Sequence, residues 1–133
     1  MAIQVPVSWG ELIDKIAILE IKSERIADAA KLANVRTELA ALAGVRDANL
    51  PSEGKVLDDL AALTADIKTV NEALWEIEDD IRDCERDRDF GPRFVELARS
   101  VYKTNDRRAA LKRDINTLLG SELVEEKSYQ SYE

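Results

Sequence analysis

The chain has 133 residues, 45% hydrophobic and 35% charged, with 5 glycines and 3 prolines, which supports one domain with a core and argues against disorder or a sheet-rich fold. Its 19 basic and 27 acidic residues give a net charge of -8, which argues against general nucleic-acid binding. With no histidine and a single cysteine, Cys84, the chain has no His-based acid–base chemistry, no internal disulfide and no thiolate cluster for zinc.

Residues 2–7, "AIQVPV", are apolar and interrupted by Pro6, so they predict a short extended arm. The opening stretch has no basic region, and acids interrupt its apolar run. It predicts neither a signal peptide nor a membrane span, which makes the cytoplasm the expected location. The first helix starts near Ser8. Ser8 and Glu11 have capping-box spacing, and Val7 stands where a hydrophobic staple belongs. Leu12, Ile13, Ile16, Leu19 and Ile26 give the helical stripe. Asp28 in "ADAAK" is the expected N-cap of a second helix carrying Leu32, Val35, Leu39 and Leu42. Gly44, or the segment "RDANLPSEG" at 46–54, ends it.

The third helix is the longest, from about Ser52 to about Arg88. Its stripe of Leu57, Leu60, Leu63, Ile67, Val70, Leu74, Ile77 and Ile81 recurs at three and four. "RDFGPR" at 88–93 is the turn, with Gly91 supplying conformational freedom and Pro92 suited to a first helical position. The fourth helix runs from Pro92 to a stop at Gly120. The tail, "SELVEEKSYQSYE", is polar, and Glu125, Glu126 and Lys127 read as solvated. The sequence therefore predicts a single all-α domain over residues 1–133. It is an antiparallel four-helix arrangement dominated by a long hairpin of residues 52–88 and 92–119, with the first two helices covering the hairpin's apolar face.

Helix four carries an anomaly. In "NDRRAALKRDIN", Asn105, Arg108 and Lys112 occupy positions where a packed helix normally has leucine. Folding the hairpin about Phe90 sets Asn71, Trp75 and Glu78 level with Arg108, Asn105 and Tyr102. The segment from Glu72 to Asp89 holds nine acids against three arginines, and that from Asn105 to Asn116 holds four bases against two acids. Opposed charge of this kind suits pairing of the two arms. Two readings stay open. In one, the polar stripe is an internal network whose desolvated charges are paired. In the other, Asn71, Trp75, Asn105, Arg108 and Lys112, joined by Arg82, line a cationic pocket for a small anionic ligand. Arginine would clamp a carboxylate or phosphate there and Trp75 would stack on a ring. Trp9 reads as a bundle-end core residue. Cys84 reads as a buried small residue whose activation would need a cation such as Arg88. Acids at helical spacing, Glu11, Asp14, Glu76, Asp79 and Asp80, match no metal motif. No catalytic residue, metal or cofactor is assigned.

The segments "SWGELIDKIAILEIKSERI", "AAKLANVRTELA", "LWEIEDDIRDCE", "NDRRAALKRDIN" and "GSELVEEKSYQSY" resemble the DUF6165 family of small uncharacterised bacterial proteins. The resemblance covers nearly the whole chain, most loosely at residues 44–60. It implies a compact helical protein and a neighbourhood of surface-polysaccharide functions, and it transfers no catalytic residue. It directs attention to Lys22, Arg25, Trp75, Glu76, Asp79 and Asn116, among others in those segments. "LIDKIAILEIKSER" is also similar to the first helix of helical chorismate mutases. Glu11 stands near the position of their early arginine, and the later segments do not match, so this is an analogy of structure only. The expected function is that of a helical interaction or accessory protein, with a non-enzymatic role favoured. The alternative is an enzyme or binding protein for a small anionic metabolite. A homodimer, a protein partner or a small anionic ligand are the expected partners.

Overall fold

The computed structural model describes residues 1–133, and four helices account for its regular structure: α1 (Trp9–Arg25), α2 (Ala29–Asn49), α3 (Lys55–Arg86) and α4 (Pro92–Leu119). The fold is all-α, and α3 and α4 form the long antiparallel hairpin. At 1.5 Å per residue, α3 is about 48 Å long.

Local chemistry sets most boundaries. The Ser8 hydroxyl caps α1 by accepting from the Glu11 amide, whereas the Glu11 carboxylate turns away to Lys15 and Lys112, so only half of the capping box forms. Val7 stays exposed and does not act as a buried staple. Asp28 caps α2 by accepting from the Lys31 amide at 2.9 Å. That helix runs through Gly44 and ends at Asn49. Pro92 opens α4. Gly120 closes it at a left-handed φ of 62°. There the Ser121 amide reaches back to the Asn116 carbonyl at 2.9 Å and the Gly120 amide to Thr117, the paired bonds of a Schellman stop. At the hairpin turn the left-handed residue is Arg88, with φ 53°, and Gly91 keeps a negative φ of -81°. The expected role of Gly91 is therefore taken three residues earlier.

The core sits where α1 crosses the hairpin. Ile13 and Ala17 pack with Leu60, Ile67 and Ile115, flanked by Trp9, Leu63, Leu111 and Leu118. α1 is the central element, because it packs against α2, α3 and α4. That explains why it buries Leu12, Ile13, Asp14, Ile16, Ala17, Leu19 and Ile21 almost all round. α2 packs on α1 alone and buries only Val35. The expected cover of the hairpin by two helices is thus supplied by one, with α2 lying outside it. An apolar two-faced α1 has to be buried twice, and that requirement draws α2 away from the hairpin.

Candidate functional site

The polar stripe of α4 meets α1. The first amides of a helix have no partner within it. In α1 the first two are satisfied from the far end of the chain, and the next two by Ser8. The Trp9 amide donates to the Ser121 hydroxyl at 3.2 Å and the Gly10 amide to the Asn116 side-chain oxygen at 2.6 Å. The helices approach so closely there that a Cβ on Gly10 would overlap the Lys112 carbonyl.

One turn further, the buried Lys112 ammonium donates to Glu11 at 2.7 Å and to Glu125 at 2.6 Å. Burial works against its charge, but the hydrogen bonds to Glu11 and Glu125, together with the charges of Glu11 and Asp14, outweigh it and hold the Lys112 pKa above its ordinary value. The same bond holds the Glu125 carboxyl below its ordinary value. Glu125 is therefore not solvated tail. The tail follows α4, and Tyr132 donates to Asp106 at 2.8 Å with its ring 5.2 Å from that of Tyr102. Leu123, Val124 and Tyr129 remain exposed, so polar groups and Tyr132 do the docking.

Next along the stripe, Arg108 clamps Asp14. Its Nε lies 3.0 and 3.1 Å from the two carboxylate oxygens, and one terminal nitrogen donates to Oδ2. Asp14 is 0% exposed, and Asn71 donates to its Oδ1 at 2.8 Å. The hydrogen bond to Asp14 raises the Arg108 pKa, against the pull of burial. The second terminal nitrogen of Arg108 points at the Asn105 oxygen, 3.5 Å away.

Above this clamp lies an open cleft of about 460 Å³ between α1, α3 and α4. Ile18, Ile21, Leu74 and Trp75 form its apolar lining, while Lys22, Asn71, Glu78, Asp79, Asn105 and Arg108 supply polar groups. Arg25 lies over the Trp75 ring at 5.8 Å and pairs with Glu72 and Glu76. Lys68 is held by Glu20 and Glu24, and its hydrogen bond to Glu24 raises its pKa.

Of the residues expected to line one pocket, Asn71, Trp75, Asn105 and Arg108 come together. Lys112 and Arg82 do not. Lys112 lies one turn beyond Arg108, under Glu11 and Glu125. Arg82 is exposed and folds back along its own helix onto Glu78 at 3.3 Å. With Glu78 and Asp79 on its wall, the cleft is mixed in charge rather than cationic. Sequence reasoning misses Asp14 as the partner of Arg108, and Asn116 and Ser121 as caps of α1. The readable signal is Asp14 itself, an acid one helical turn from Ala17 and Ile18 on a largely apolar helix, which when buried requires a base from elsewhere. Cys84 is buried, and the cation beside it is Arg93, with a nitrogen 3.5 Å from the sulfur, rather than Arg88. No group of three or more acid or cysteine side chains is placed to hold a metal ion.

Fold and site together define a small all-α protein whose central helix is latched to a hairpin by buried charge, beside an open cleft. The model of the DUF6165 family, a family of unknown function, matches residues 3–132, and the chain belongs to that family. No curated protein and no solved structure matches it.

Proposed function

We propose that the chain is a non-catalytic helical interaction protein, serving as an accessory to a bacterial process. One observation carries this reading. Between Glu72 and Leu111 the hairpin fully buries a single side chain, Cys84. The stripe there, Leu74, Ile77, Ile81, Phe94, Leu97 and Val101, is only half-buried, and Phe90, Val95 and Tyr102 are exposed. An apolar stripe at helical spacing left half-buried, most of it beyond the cleft where α1 packs, is suited to the surface of a partner, a second copy of the chain included. A cytoplasmic setting belongs to the proposal and is compatible with the absence of any helix long and apolar enough to cross a membrane. An association with surface-polysaccharide processes rests on the family resemblance alone. Affinity capture tests the reading. Partners should be retained by the wild-type chain and lost by Leu97→Asp, provided the variant keeps its helical circular dichroism. Turnover of an anionic metabolite by the purified chain would overturn it.

A second reading, a binding protein for a small anionic metabolite, is favoured by the cleft. There Arg108, Asn105 and Trp75 line one cavity, with Lys22 in addition.

A further inference from the structure

The charges that line the cleft narrow the class of ligand it would take, an inference that rests on the second reading. Most acids on this face are committed. Lys68 takes Glu20 and Glu24, and Arg25 takes Glu72 and Glu76. Lys22, on the α1 wall, is left with an uncommitted ammonium. Arg108 spends Nε and one terminal nitrogen on Asp14, and its other terminal nitrogen has only the long contact to Asn105. The negative side mirrors this. Glu78 and Asp80 pair with Arg82 and Arg93, and Asp79, on the α3 wall, is left over. Ile18, Ile21, Leu74 and Trp75 supply the apolar surface between. The cavity volume, about 460 Å³, falls within the range of small-molecule sites.

We infer that this cleft binds a small zwitterion: a carboxylate received by Lys22 and Arg108, an ammonium received by Asp79, and an apolar or aromatic body laid against Trp75. Charge balance selects this class. Asp14 neutralises Arg108 and Arg82 neutralises Glu78, so the open charges are one of each sign, Lys22 and Asp79, and a phosphate dianion would satisfy the first while facing the second unpaired. A neutral ligand would leave Lys22 and Asp79 unmatched. A ligand with both charges satisfies both walls, and groups left unpaired on binding are what make such sites selective.

The test uses the full chain and three probes: L-phenylalanine, 3-phenylpropanoate, which lacks only its ammonium, and phenethylamine, which lacks only its carboxylate. Binding is followed by calorimetry and by amide chemical shifts. L-phenylalanine should bind saturably and shift resonances of Lys22, Trp75 and Asp79, with each single-charge analogue weaker by about tenfold or more. Lys22→Met and Asp79→Asn should each weaken L-phenylalanine binding by a similar factor without lowering the melting temperature. 3-Phenylpropanoate binding as well as L-phenylalanine would overturn the zwitterion while leaving a ligand cleft in place. Silence from all three probes at about 10 mM, above the range of weak small-ligand sites, would overturn both.

Discussion

Asp14 is the residue on which the latch turns. A carboxylate taken fully out of water is costly unless its partners replace the lost hydration. Arg108 does so with two nitrogens on its two oxygens, and Asn71 adds a third donor. Removing Arg108 strands the carboxylate. Arg108→Ala should therefore lose about 3–5 kcal/mol of stability, read by urea unfolding. Arg108→Lys should recover only part of the loss, because an ammonium cannot present the planar fork. Replacing both charges, as Asp14→Leu with Arg108→Leu, should cost less than Arg108→Ala alone, since no charge is left buried. If Arg108→Ala unfolds within about 1 kcal/mol of wild type, the pair behaves as an exposed one and the latch is refuted. Asn105 stands apart: its side chain accepts only the long hydrogen bond from the far nitrogen of Arg108, so Asn105→Ala should leave stability nearly unchanged.

At the scale of the elements, the contact between α1 and α4 depends on a missing side chain. Gly10→Ala would drive a methyl into the Lys112 backbone carbonyl, which cannot swing aside as a flexible side chain would. The helices must separate, at about 1–3 kcal/mol, and the caps from Asn116 and Ser121 loosen with them. Thermal unfolding of Gly10→Ala checks this; an unchanged midpoint would mean that the helices do not meet as described. The tail adds a pH-dependent tie to the same seam. Glu125 has its pKa lowered by Lys112, so its contribution is fully present above the ordinary glutamate value of 4.5 and is lost as pH falls through the lower folded value. Lys112 has its pKa raised, so its contribution holds below 10.5 and is lost only above that. Backbone relaxation of residues 122–133 should show an ordered tail at neutral pH and a mobile one in acid, and Glu125→Gln should be mobile throughout. The effect on global stability is small, because Glu125 is half in solvent. These elements also show what a sequence discloses. Asp28, Pro92 and Gly120 act through neighbours within a few residues, so local rules find them. The apolar spacing of α3 and α4 fixes their pairing, and it sets Asn71 level with Arg108, where both bind Asp14. What spacing cannot decide is which of the remaining helices faces a polar stripe. Opposed charge directs the stripe toward the acids of α3, whereas its strongest partners are on α1, ninety-four residues from Arg108 in the chain. The position of α2 is equally hidden, because its weak apolar face fits α1 or the hairpin alike.

For the whole molecule, the exposed surface is larger than a closed fold requires. A compact monomer of this mass exposes about 7,000 Å². This chain exposes 9150 Å² and buries 18 of its 133 residues. The arm and tail account for part of the excess. The rest comes from the architecture, since α2 touches only α1 and the turn end of the hairpin, from Ile81 to Val101, fully buries only Cys84. A standard protein interface removes about 800 Å² from each partner, and obligate homodimers remove more. The surplus is thus of the size that a second copy would cover, and two-fold pairing is the commonest closed solution. We therefore expect a homodimer, with the half-buried stripe around Leu97 at its interface. Sedimentation equilibrium at micromolar protein should return twice the 14.9 kDa chain mass. Leu97→Asp places a charge on that stripe and should return the monomer mass with helix content unchanged. Ala40→Glu, on the exposed side of α2, separates the two surfaces: it should leave the dimer intact if the hairpin is the interface and break it if α2 is. A monomer mass for the wild-type chain would mean that the uncovered stripe is held in water or reserved for a different protein, and the homodimer would be rejected.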